Sequence, residues 1–221
     1  MRFILVFIFV FVMACGSDKT IELPAIEHST ITELTDISPA YLFYNITQPD
    51  SVELNRKNLI STTNWVVNVD KRLRLGQVIP QIQFLQNKKN NSSHKNENAK
   101  NYYTCNNTSI KNLGFIEFTN VYYQLDKKLH DDDSLSLKNW YVINISDLDA
   151  IQIKSESDSL MLDITIDKLV NELSAHSIKK PTELILNLSE DLTFQDYITL
   201  KDELTRLNPE DVLIHTNEFI Y

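Results

Sequence analysis

The strongest constraint on this chain is internal, because one pattern occurs twice. Residues 65–85 lie over residues 184–204 without a gap. Nine of these 21 columns are apolar in both copies, and four are identical: Asn68 over Asn187, Leu73 over Leu192, Ile79 over Ile198 and Leu85 over Leu204. Each copy opens with an apolar run of strand length, Trp65-Val66-Val67 or Leu184-Ile185-Leu186. Each then places apolar residues at helical spacing, Leu75, Val78, Ile79, Ile82 and Leu85 in one copy, Phe194, Tyr197, Leu200 and Leu204 in the other. Farther on, residues 115–120 lie over 212–217, both ending in Thr-Asn. A repeat of this length changes the fold expectation, since related units bury the same faces. The pattern predicts a duplication.

The second half is the clearer one. Residues 151–153 and 160–164 read as strands joined by a polar turn at 155–159. Thr165 caps a helix over 166–176, with Leu169, Val170 and Leu173 inward. Residues 184–188 are a buried strand. Thr193 and Asp196 form a capping box that opens the next helix, Asn208-Pro209 stops it, and 212–216 is the closing strand. In the first half, strands are expected at 41–44, 65–69, 115–118 and 121–123, and 52–60 suits either helix or strand. Pro80 falls inside the helical pattern, so that helix is expected to bend or to start late. Residues 86–112 are rich in Asn, Lys and Ser and read as a solvated insertion. Residues 127–134 are a polar break, and 141–145 form a strand that bridges the halves.

The expectation is therefore an α+β protein made of two related two-layer units. Each has the order strand-strand-helix-strand-helix-strand, with helices on one face of a small sheet. The division is 1–14 signal peptide, 15–39 tether, 40–126 first unit with the insertion 86–112, 127–149 connector, and 150–221 second unit. A length of 221 residues suffices for a real core. Three glycines exclude a dinucleotide fingerprint and a phosphate-cradling loop. A net charge of −9 argues against nucleic acid, whose phosphates need surplus Lys and Arg. Two cysteines make neither a four-thiolate zinc site nor a disulfide framework.

At the N-terminus, Met1-Arg2 precedes an apolar run of 12 residues, 3–14. A membrane-spanning helix needs about 20 residues, so this run has the length of a signal-peptide hydrophobic region. It ends in Val12-Met13-Ala14-Cys15, which resembles the bacterial lipobox. The resemblance implies cleavage before Cys15, lipidation of its thiol and attachment to an envelope membrane. That membrane is the inner one, on its periplasmic face, or the outer one. Two or more acyl chains hold a protein stably where one holds it marginally. Cys105 is then the remaining thiol, and its polar neighbours make it an expected surface thiol.

The strand-helix-strand ending, residues 184–219, resembles the periplasmic domain of the ExbD/TolR family, non-enzymatic parts of proton-driven biopolymer transport machinery. The resemblance covers roughly 151–221 and, through the duplication, 41–123. It departs from the family at Cys15, which stands where the family has a membrane helix with a proton-carrying aspartate. It departs again at Asn208-Pro209, in place of a glycine, and at Asn187, in place of an acidic residue. What the resemblance implies is a soluble, tethered relative that binds an envelope protein complex or peptidoglycan, without the motor chemistry.

The polar residues suggest no reaction. His130-Asp131-Asp132-Asp133 offers hard oxygen ligands but lacks a glycine-turned loop, and reads as a solvated acidic loop. His28, His94, His176 and His215 have no ligand partner at metal spacing. Asp163, Asp167, Glu172, Glu190 and Asp191 read as helix starts and surface. No catalytic, cofactor-binding or metal residue is assigned. The expected function is a non-enzymatic, membrane-anchored accessory of ExbD/TolR-type machinery that docks through a sheet edge or helix face. The alternative is a surface lipoprotein that binds a sugar, peptide or ion in a pocket between the repeats, with Tyr102-Tyr103 as an exposed binding loop.

Overall fold

The computed structural model describes residues 19–94, 96–126, 140–155, 160–177 and 182–221. In chain order the elements are β1 (Ala25–Ile26), β2 (Ile37–Tyr44), β3 (Val52–Asn55), β4 (Asn64–Val69), α1 (Leu75–Asn90), β5 (Asn101–Asn107), β6 (Asn112–Glu117) and β7 (Tyr122–Leu125). There follow β8 (Trp140–Asp147), β9 (Ala150–Ser155), β10 (Leu160–Ile164), α2 (Ile166–Ser177), β11 (Thr182–Leu188), α3 (Phe194–Leu204) and β12 (Val212–Ile220).

These strands form two six-stranded mixed sheets. Sheet one runs β1-β5-β4-β2-β3, with β6 antiparallel to β5. Strand β5 takes β4 at residues 101–103 and β1 at 106–107, both parallel. Sheet two runs β7-β12-β11-β8-β9-β10, parallel as far as β8 and antiparallel thereafter. The central parallel strands β4 and β11 read as near-continuous apolar runs because both of their faces are covered. Residues from both sheets and all three helices join one hydrophobic core. A small second cluster of Trp140, Val142, Ile185 and Phe219 lies on the opposite face of sheet two.

The two sheets are wired alike. A hairpin (β2–β3 or β8–β9) is followed, directly in sheet one and after β10 and α2 in sheet two, by a strand that pairs parallel with the hairpin's first strand (β4 or β11). Then come a helix (α1 or α3) and another parallel strand (β5 or β12). The registers coincide as well. Residues 37–42 oppose 64–69 just as 140–145 oppose 183–188, so Trp65 and Leu184 hold the same place.

Several expectations need correction. The order strand-strand-helix-strand-helix-strand holds from β9 to β12, whereas β3 passes to β4 without a helix. Helix α1 starts at Leu75 and runs through Pro80. Pro80 lies on the exposed side, where water can bond the carbonyl that its missing N–H leaves free. Residues 86–112 are not a solvated insertion: α1 continues to Asn90, and β5 is a largely buried inner strand. The polar letters of β5 misled because its amides are spent in bonds, as at Asn101, which accepts from Lys89 at 2.8 Å. It is β5, parallel to β4, that takes the place of β12; β6, which carries residues 112–117, is antiparallel. The expected connector contains β8, which lies inside sheet two, and the first unit's range includes β7, which also pairs into sheet two. The expected tether is pinned as well. Pro24 and Ile26 accept from Asn106 and Thr108 at 2.8 and 2.9 Å, and Ile26 is buried. The polar break at 127–134 lies outside the described residues.

Candidate functional site

Helix starts leave N–H groups without intrahelical partners, and here α1 and α3 each find them in the turn that precedes the other. Leu75 N donates to Leu192 O at 2.9 Å, and Phe194 N donates to Leu73 O at 2.6 Å. Gly76 N donates to Glu190 O at 2.9 Å, and Gln195 N donates to Lys71 O at 3.2 Å. In the alignment of 65 over 184, Leu75 lies over Phe194, Leu73 over Leu192, Gly76 over Gln195 and Lys71 over Glu190. Exchanging the two copies therefore turns each bond into its partner. Arg74 and Thr193, also one column, form the antiparallel bridge at the centre. A seam in which residue i meets j and j meets i is the isologous geometry of a two-fold dimer. Local caps follow the same columns. Arg74 N donates to Gln77 Oε1 at 2.8 Å, and Thr193 N donates to Asp196 Oδ2 at 3.1 Å, as the capping box predicts for α3.

Beside the seam runs a buried polar chain. The hydroxyls of Tyr103 (β5) and Tyr123 (β7) lie 2.7 Å apart, and those of Tyr123 and Tyr197 (α3) 3.1 Å apart. The Tyr197 hydroxyl donates to Glu218 Oε2 at 2.9 Å, and Lys201 Nζ donates to Glu218 Oε1 at 2.6 Å. Burial pushes all three phenols well above the ordinary tyrosine range. Tyr103 also stacks on Phe118 and meets Phe194 edge-on. The Asp70 carboxyl, in the turn before the seam, is buried, which raises it. Bonds from the Arg72 side chain and from the backbone of Arg72 and Glu22 outweigh burial and hold it below its usual value.

Helices α1 and α3 also grip segments that pair into the other sheet. Gln83 and Gln86 of α1 donate to Tyr123 O and Val121 O, each at 2.8 Å. Gln195 of α3 brackets Ala25, accepting from its N–H at 2.8 Å and donating to its carbonyl at 2.9 Å. Asp202 Oδ2 accepts from Glu27 N at 3.1 Å. Gln83 and Asp202 again share a column. Such side chains occupy the backbone groups of short strands, which otherwise invite foreign pairing.

Where β1 leaves α3, a cleft of about 710 Å³ opens between sheet one and the α3–β12 layer. Ile31, Phe115 and Ile116 line one side, Leu204 and Ile214 the other, with Lys201 and Asp202 among its polar groups. Its lining draws on strands of both sheets and on α3.

The sequence candidates scatter. Cys15 and His130-Asp131-Asp132-Asp133 lie outside the described residues. Cys105 is fully buried in β5, not a surface thiol, and burial pushes its thiol up. Tyr102 and Tyr103 are buried too and form no exposed loop. His28 lines the cleft, His94 is exposed, and His215 Nδ1 accepts from Asn217 N at 3.0 Å. Glu190 and Asp191 form the seam turn, where Asp191 pairs with Arg74. Asp167 meets the Thr165 hydroxyl, and Glu172 is half-buried. Among the described residues, no three His, Cys, Asp or Glu side chains group as a metal site, and no helix is long and apolar enough to cross a membrane. Tyr123, Lys201, Asp202 and Glu218 were missed. For Lys201, Asp202 and Glu218 the available signal was charge placed among the apolar positions of α3 and β12, and for Tyr123 in β7 there was none. The chain matches no protein-family model, no curated protein and no solved structure at a significant level.

Proposed function

We propose that the chain is a non-enzymatic envelope lipoprotein, lipidated at Cys15, whose two related units close on one another and present sheet edges to a partner. The ExbD/TolR resemblance suggests that this partner belongs to proton-driven transport machinery. The observation that carries the two-unit reading is the seam, whose four bonds exchange in pairs under the sequence repeat. Chance similarity of two strand-helix passages gives no reason for the same columns to meet in space, and this supports the reading. With the seam closed, strands β3 and β10 lie at the far ends of their sheets. Among the described residues they pair only with β2 and β9, so each offers an edge to which an extended segment can add.

The anchor and the partner are tested together. The full chain, expressed in a bacterium, is expected to enter the detergent phase and incorporate labelled palmitate, both lost in Cys15→Ser. Purified from envelope extracts, it is expected to bring down motor or TonB-type proteins. Recovery in the aqueous phase with an unmodified cysteine overturns the anchor, and absence of those proteins overturns the partner. A ligand-binding lipoprotein is the second reading, favoured by the cleft beside α3.

A further inference from the structure

Away from the seam and the cleft, sheet two carries a row of polar side chains that its core does not need. The paired strands β11, β8, β9 and β10 bring Asn187, Asn144, Gln152 and Asp163 opposite one another. Directly opposed residues share a face. One step back along the first two strands that face is apolar, with Ile185 and Val142. The row ends in a cavity of about 520 Å³, lined also by Ser146, Asp149, Lys168 and Tyr221.

The row is wired but not saturated. Asn187 Nδ2 donates to Asn144 Oδ1 at 2.9 Å, and Gln152 Nε2 donates to Asp163 Oδ1 at 3.1 Å. Asn144 is nine-tenths buried, yet among the described residues its Nδ2 donates to no acceptor. That donor is not sealed away without a partner but open to the cavity, where a ligand acceptor can meet it. Gln152 retains its oxygen and Asp163 its second carboxylate oxygen as acceptors. The lining therefore combines donors (Asn144, Lys168) with acceptors (Gln152, Asp163, Asp149) and adds the three hydroxyls of Ser146, Thr165 and Tyr221. Two carboxylates against one ammonium disfavour an anion. The lining holds only two acids, and no three His, Cys, Asp or Glu side chains group among the described residues, so it offers a cation few charged ligands.

We propose that this cavity binds a neutral mono- or disaccharide. Each sugar hydroxyl both donates and accepts, and adjacent hydroxyls match neighbouring amide and carboxylate groups. The volume falls in the range of small-molecule pockets. The site is independent of the sheet-edge reading, and loss of a protein partner would leave it intact.

The test is calorimetric titration of the full chain with maltose and with cellobiose, beside glycine and calcium chloride. Saturable binding of at least one disaccharide is expected. Asn144→Asp preserves the acceptor for Asn187 and removes the donor, so affinity should fall about tenfold, the worth of one good hydrogen bond. Lys168→Ala, on the exposed rim where folding is not at stake, should also weaken binding severalfold. Absence of saturable saccharide binding overturns the proposal. So does saturable binding of glycine or calcium in its place, or binding indifferent to both substitutions.

Discussion

Lys89 gives a stability effect with a defined sign. It lies in the last turn of α1, with its ammonium donating to Lys100 O at 3.0 Å and Asn101 Oδ1 at 2.8 Å, 5.2 Å from the Trp65 ring centre. Both acceptors are neutral, and burial pushes the ammonium down from 10.5 to about 8. Below pH 8 the folded and unfolded chains both hold this proton, and the cost of burying the charge is fully present. Between the two values the unfolded chain holds up to one more proton, so stability rises by up to about 1.4 kcal/mol per pH unit. The buried phenols act oppositely. Their folded pKa values are raised, so their stability is full below the ordinary tyrosine value and declines as pH rises past it. A difference measurement removes them. Lys89→Met keeps an apolar stem near Trp65 and loses the ammonium. Urea unfolding of both chains from pH 7 to 10 should show wild type gaining about 2 kcal/mol on the variant between pH 8 and 10. Curves that stay parallel across this range would refute the uncompensated buried ammonium.

Other perturbations follow from the same contacts. Glu218→Leu strands the Lys201 ammonium, which is nearly buried, and should cost about 3–5 kcal/mol in chemical denaturation. Adding Lys201→Leu should recover part of that loss, and a double variant no better than the single one would disprove the coupling. Gly114→Ala places a Cβ 2.8 Å from Ser29 Cβ and 2.9 Å from Ile26 Cδ1, so denaturant midpoints should report a loss of about 1–3 kcal/mol. Unchanged stability would mean that the 24–31 segment does not press on β6. Cys105 should resist a thiol reagent in the native chain and react only as fast as the core opens, whereas immediate labelling would contradict its burial.

Legibility in the sequence tracked how local each determinant is. The α3 start was readable from Thr193 and Asp196 because a capping box is closed within four residues. Strands β4 and β11 were readable because their apolar runs exceed any helical or loop preference. Strand β5 was not, because Asn101, Thr104 and Asn107 look solvated until Lys89, β4 and β6 surround them. Residues 24–31 looked like a tether because two paired residues and one buried Ile26 leave almost no pattern. The alignment of 65–85 over 184–204 rests on four identities, but its last strand was set over β6 through a shared Thr-Asn ending, when the strand parallel to β4 is β5. No periodicity could show that the turns at 71–76 and 190–195 face each other. That arrangement is made by backbone groups at Leu73, Leu75, Leu192 and Phe194, whose side chains report only burial.

Amide hydrogen exchange at Leu75, Gly76, Phe194 and Gln195 probes the seam most directly. These are the first N–H groups of two helices, positions that exchange quickly at an ordinary frayed end. Mutual capping predicts that all four are protected to a similar degree, close to the protection of β4 and β11. Rapid exchange at these amides, or protection of one helix start without the other, would contradict two units that complete each other.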